Sequence, residues 1–177
     1  MRKPWLALIV TVVSLAGAGP LWPLPDWQWG FERPSEDWGP CVLDRGTGQV
    51  ALSTTRATEG KSALAVSGTL PGSFGVTYRP WDDWTGYEQL SFDLYVPKGA
   101  PKGLDLWVYL KDKQYYWYQT APFRSPKTGK LLGTLPAGKW VTIRLDVSPR
   151  STIWQPGGHR RAWERTLYYP REFGLRF

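Results

Sequence analysis

Cysteine, histidine and methionine each occur once in this 177-residue chain, and these scarcities exclude much chemistry. Cys41 alone allows no intramolecular disulfide and no cysteine metal cluster. It does not directly follow the apolar N-terminal run, as a lipid-modified cysteine would, so a buried, inert thiol is its expected role. His159 sits in Gly157-Gly158-His159-Arg160-Arg161, a loop by composition, where a Ser-His-Asp triad or a histidine metal site is hard to build. There is no glycine-rich phosphate loop or dinucleotide fingerprint. The formal net charge is +7, of which Arg2 and Lys3 supply two, and the other basic residues are interspersed with acidic ones. No stripe of the kind that tracks nucleic-acid phosphates results. The densest basic cluster, Arg160, Arg161 and Arg165 with Trp154 and Trp163 flanking it, reads either as a solvated loop or as a contact for an acidic glycan or phosphate.

A helical period is missing too. What is abundant is 16 Pro, 19 Gly and 12 Trp, a composition that breaks helices and favours pleated surfaces, and so points to an all-β domain. At the N-terminus, Arg2 and Lys3 precede an apolar run from Trp5 to Ala16, and Ala16-Gly17-Ala18 offers small residues for cleavage. Residues 1–18 therefore read as a signal peptide, with an uncleaved anchor as the alternative. Pro20, Pro23 and Pro25 make residues 19–26 an extended connector. Residues 27–177 are then one β-domain, expected to be secreted or periplasmic and not to stay inserted in a membrane after cleavage.

Within that domain, three stretches alternate cleanly. Leu90, Phe92, Leu94 and Val96 share one parity against Ser91, Asp93 and Tyr95. Val141, Ile143, Leu145 and Val147 share one against Trp140, Thr142, Arg144 and Asp146. Leu104, Leu106, Val108 and Leu110 share one against Asp105, Trp107, Tyr109 and Lys111. Each is the period-two pattern of a strand with one face in a core. A polar break, Lys111 to Gln114, leads from the last of these into Tyr115-Tyr116-Trp117-Tyr118, which predicts an antiparallel hairpin. With an even loop, Leu110 faces Tyr115, so that Tyr116 and Tyr118 join Trp107 and Tyr109 on the non-core face. With an odd loop, Tyr115 and Trp117 join them instead. The even register is the favoured one. If all three strands lie in one sheet, the face gathers Asp93, Tyr95, Asp105, Trp107, Tyr109, Tyr116, Tyr118 and Arg144. Rings beside carboxylates and amides suit a sugar, whose C–H faces lie flat on aromatics and whose hydroxyls need fixed partners. The competing reading is a ring set covered by a second layer.

Several segments together resemble a known pattern: Trp29-Gly30-Phe31-Glu32, Glu59-Gly60-Lys61-Ser62-Ala63-Leu64-Ala65-Val66, Tyr87 to Pro97, Tyr116 to Thr120, Gly138-Lys139-Trp140-Val141 and Arg171 to Phe177. In their order and spacing they are similar to the strands of the galactose-binding-domain-like jelly roll, which is shared by carbohydrate-binding modules of glycan-degrading enzymes and by the complex I intermediate-associated protein family. The resemblance implies an antiparallel β-sandwich with a concave glycan-binding sheet and a structural calcium held through Glu32 and Glu59. The family's usual last strand, with the aspartate that completes the ion site, has no counterpart before Phe177. The resemblance therefore also implies a truncated reading frame, a fragment of a larger enzyme, or a sheet edge completed by another chain, with association with a catalytic domain as a partner expectation. No pair of carboxyl groups suited to glycoside hydrolysis is legible, and the adjacent Asp82 and Asp83 read as turn residues. The expectation is a secreted, non-catalytic module that binds polysaccharide or oligosaccharide and no nucleic acid. The alternatives are an accessory domain of a glycoside hydrolase and a scaffold without sugar affinity.

Overall fold

The computed structural model describes residues 5–17, 27–33, 37–43, 47–69, 73–79, 83–100, 104–120, 135–163 and 169–177. Residues 1–4 and 18, expected in a leader, residues 19–26, expected as a connector, and Asp82 and Arg165 lie outside the described residues. No α-helix occurs among those described. The elements are β1 (Trp5–Gly17), β2 (Trp27–Trp29), β3 (Trp38–Leu43), β4 (Thr47–Ser53), β5 (Ala63–Thr69), β6 (Ser73–Tyr78), β7 (Tyr87–Tyr95), β8 (Trp107–Lys111), β9 (Trp117–Thr120), β10 (Trp140–Asp146), β11 (Trp154–Pro156) and β12 (Glu172–Arg176).

They form two antiparallel sheets. Sheet A runs β10-β7-β1-β5-β4, with β2 also paired to β1; sheet B runs β11-β9-β8-β12-β6-β3. The core lies between them. Leu64, Val66, Leu90, Phe92, Leu94, Ile143 and Leu145 come from sheet A, and Phe74, Val76, Tyr78, Leu106, Val108, Leu110, Phe173 and Leu175 from sheet B or the segment leading into it; all are buried in one cluster. Parity thus assigns the inward residues of all three alternating strands as the sequence predicts. The result is an all-β sandwich.

One expectation fails. The strand at Leu90 to Val96 and the aromatic hairpin do not share a sheet, because β7 and β10 lie in sheet A while β8 and β9 lie in sheet B. Alternation says which residues of a strand share a side. It carries no information on which layer the strand joins.

The segment that reads as the apolar part of a leader is paired into sheet A. β1 runs antiparallel to β7 on one side, with Val10 opposite Leu94 and Leu15 opposite Leu90. On its other side it meets β5, with Val10 opposite Leu64, and β2, with Val13 opposite Trp29.

Candidate functional site

The site is built on the hairpin. Asp112 N–H donates to the Tyr116 carbonyl at 3.1 Å and Tyr115 N–H to the Asp112 carbonyl at 2.8 Å. Tyr115 takes a left-handed backbone, at φ 65°. This is a three-residue loop, Lys113 to Tyr115, made of a tight turn followed by one left-handed residue. The Asp112 carboxylate stabilises it by accepting from Gln114 N–H at 2.8 Å and Tyr116 N–H at 2.9 Å. An odd loop sets the register: Lys111 lies opposite Trp117, Leu110 opposite Tyr118 and Tyr109 opposite Gln119. The favoured even register is therefore corrected. Glycine normally marks the left-handed position of such a loop, and a tyrosine there hides the signal.

The correction moves two predicted site residues. Tyr118 is fully buried in the core, where its hydroxyl donates to the Ala162 carbonyl at 3.1 Å. Tyr116 packs partly buried against the same cluster, with the Arg161 guanidinium 3.9 Å from its ring centre. Both rings meet His159 edge-on, at 4.8 Å and 4.7 Å between centroids. His159 is itself structural. Its Nδ1 accepts from Arg161 N–H at 3.2 Å, which leaves Nε2–H to donate to the Trp117 carbonyl at 2.8 Å.

The non-core face of sheet B instead carries Trp107, Tyr109 and Lys111 from β8, Trp117 and Gln119 from β9, and Glu172 and Arg176 from β12. Trp117 stacks on Tyr109 with centroids 4.1 Å apart and planes 7° from parallel. Its indole N–H donates to Gln119 Oε1 at 2.9 Å, which fixes the ring's rotation. Tyr109 can lie flat because Gly174 is opposite it in β12; a Cβ there would come within 2.5 Å of the tyrosine ring. Gly157 makes the same room beside Trp117, where a Cβ would meet the indole at 2.7 Å.

A polar chain runs along the stack. Lys111 Nζ is 2.9 Å from Glu172 Oε1, and the Tyr109 hydroxyl is 2.9 Å from that same oxygen and 3.1 Å from Cys41 Sγ. The phenol has one proton and the carboxylate is the stronger acceptor, so it donates to Glu172 and receives at most a weak S–H donation from Cys41. Lys111 also sits 5.4 Å from the Trp117 ring centre and 5.9 Å from that of Tyr109, within cation–π range. Burial pushes the Tyr109 phenol above its ordinary range, with the Cys41 contact adding to it, and burial likewise pushes the Cys41 thiol up. Cys41 is thus buried, as expected.

Tyr109 has no exposed surface, whereas Trp107 and Trp117 are half-buried. The rings a ligand can touch are the two tryptophans, and Tyr109 is the support beneath one of them. Asp105 is exposed just before β8. Asp93, Tyr95 and Arg144 stand elsewhere: they belong to the non-core face of sheet A, across the sandwich from Trp107. There Asp93 accepts from the Thr142 hydroxyl at 2.6 Å, and Tyr95 lies between Trp140, at 5.4 Å, and the Arg56 guanidinium, at 4.6 Å. The eight predicted residues therefore divide among two outer faces and the core. Trp117 was legible as a member of the platform in one of the two registers, and Lys111 shares the parity of Trp107 and Tyr109 in either; Glu172 and Gly174 were not legible, since only pairing of β12 with β8 brings them there.

Of the two residues expected to hold calcium, Glu32 is engaged by backbone donors and Glu59 is exposed. Glu32 Oε1 accepts from the Lys61 and Ser62 backbone N–H groups at 2.7 and 3.0 Å, bonds that hold its carboxyl below the usual range. That carboxylate closes the turn before β5, where Gly60 has φ +66°. Calcium requires six to eight oxygen ligands, and among the described residues no three acidic, histidine or cysteine side chains converge. A cavity of about 70 Å³ lined by Phe31, Arg33, Trp38, Val50, Ala51, Leu52 and Leu64 lies between the sheets' edges. That is room for ordered water.

No protein-family model matches this chain, and no curated protein and no solved structure was found to be similar to it.

Proposed function

We propose that this protein is a secreted, non-catalytic glycan-binding module of the galactose-binding-domain-like jelly-roll type, and that the sugar lies on the non-core face of sheet B against Trp107 and Trp117. The observation that carries this reading is the Trp117–Tyr109 stack beside the Lys111–Glu172 pair. A ring held flat, backed by a second ring and bordered by fixed donors and acceptors, offers the two surfaces a sugar presents, an apolar face and a hydroxyl edge. Stacking on two rings contributes about 0.5 to 1.5 kcal/mol each, and a few net hydrogen bonds about 1 kcal/mol each. After the cost of immobilising the ligand, a Kd on the order of micromolar to millimolar follows.

Binding is favoured over hydrolysis on this face by the spacing of its carboxylates. Glu172 lies opposite Lys111, while Asp105 stands six residues before Lys111 and two before β8 begins, up to about 20 Å away at strand rise. Glycosidases hold their pair about 5 to 10 Å apart. The test is retention on insoluble polysaccharide, measured alongside reducing-sugar release from the same material. Retention without release is expected. Release would make the protein an enzyme, and neither retention nor release across a panel of glycans would leave a scaffold.

A further inference from the structure

Sheet A is held together by a strand whose sequence reads as removable. In the order β10-β7-β1-β5-β4, β5 and β7 never pair with each other; β1 alone joins the two halves. The same residues, 5–17, carry the apolar run of an export leader ahead of Ala16-Gly17-Ala18. Both roles cannot hold in one molecule. Once the leader is cut away, β5 and β7 stand two strand spacings apart, about 9 to 10 Å, and each presents an unpaired row of backbone N–H and C=O groups.

Direct closure of the gap is opposed by the core. Leu64 and Val66 of β5, and Leu90, Phe92 and Leu94 of β7, are all buried against sheet B. Sliding one half of sheet A across by a strand spacing would break that packing, which tolerates little displacement. β1 itself is an imperfect occupant, since its pairing slips between Trp5 and Leu8, between Thr11 and Val13 and between Ala16 and Gly17.

The geometry points to a strand-acceptor site between β5 and β7 that, in the exported chain, takes an extended segment of a partner polypeptide. This rests on the export part of the reading above and not on its sugar part. The segment's chemistry follows from the slot. It runs antiparallel to both neighbours, spans about the nine residues of β7, and is apolar at the positions level with Leu94 and Leu64, Phe92, and Leu90. Residues between those positions fall level with Tyr95, Asp93 and Ser91 on the outer side, the levels at which β1 has Ile9, Thr11 and Ser14. Backbone pairing supplies the affinity and the alternation supplies the selectivity.

The test begins with the full chain expressed in a secreting host and the mass of the exported product. Loss of the first 18 residues or so is expected. A product that keeps Arg2 would overturn the proposal through the leader, whatever it does on polysaccharide. The processed protein is then offered a fluorescent peptide of residues 5–17 with a solubilising lysine tail, as a stand-in for the partner segment. At a hundredfold excess over Kd the peptide should raise Tm by about 5 to 10 °C and slow hydrogen exchange at β5 and β7 amides. A Val10→Pro peptide should bind at least tenfold more weakly, because proline removes a backbone donor at the position level with both Leu64 and Leu94. If the processed protein aggregates alone, rescue of its solubility by the first peptide and not the second is the expected result. Equal uptake of the two peptides, or uptake of neither, overturns the site and leaves the sugar reading standing. A processed product that is dimeric and refuses the peptide would assign the slot to a second copy and overturn the partner assignment.

Discussion

The two sheets present non-core faces written in the same residue alphabet and use them differently. On sheet A, Tyr95 is closed over by Trp140 and Arg56, Asp93 is occupied by Thr142, and Ala63 is buried beneath the cluster. The side chains there satisfy one another. On sheet B, Tyr109 is laid flat by the glycine opposite it, Trp117 is stacked on top, and an ion pair borders the stack. A ring with a large neighbour across the strand pair closes the face, and a ring with glycine across it builds a shelf. The cross-strand partner, more than the ring itself, decides whether an aromatic face is a lid or a platform.

The sharpest way to break this comparison is to exchange a core residue for its neighbour on the face. Leu106 belongs to the buried core and Trp107 to the face. Leu106→Ala should cost about 2 to 5 kcal/mol in a denaturant melt, while Trp107→Ala should leave the midpoint nearly in place and weaken polysaccharide retention. Unfolding by the second with silence from the first would invert the sides.

Gly174→Ala tests the shelf. The added methyl meets a stacked, buried ring and not a flexible chain end, so about 1 to 3 kcal/mol of stability should be lost, with a change in tryptophan fluorescence as Trp117 lifts. Gly39 has open space where its Cβ would stand, and Gly39→Ala should stay within about 0.5 kcal/mol. Equal effects would mean that the platform does not depend on the glycine.

Between the faces, Trp117→Ala should weaken glycan binding about tenfold, the equivalent of about 1.4 kcal/mol, and Trp140→Ala should leave it unchanged in the same titration. Loss of binding only from Trp140→Ala would move the site to sheet A.

The smallest effect belongs to Glu32, which ties the first segment of the domain to the turn before β5. Its folded-state carboxyl is held low, first by the Lys61 amide and then by that of Ser62. A depressed acid stabilises the fold above its unfolded pKa and loses that contribution as pH falls through the folded value. Stability of the native protein should therefore decline more steeply on acidification below the ordinary glutamate range than that of Glu32→Gln. Parallel acid slopes would remove the clasp from the account.

What the sequence determined by itself was sidedness and local chemistry. Alternation put Leu90, Leu106 and Ile143 inside, because a pleat sends successive side chains to opposite faces whatever the strand's neighbours are. The polar break from Lys111 to Gln114 announced the hairpin for an equally local reason. Loop parity needed one more fact, that Tyr115 accepts a left-handed backbone usually left to glycine, and with it Trp117 and not Tyr118 reached the platform. Sheet membership is settled by pairing between distant segments: β12 brings Glu172 and Gly174 to β8, and β1 parts β5 from β7. Such pairings depend on how two layers fill the space between them, a property of the whole packed core that no single strand's pattern records.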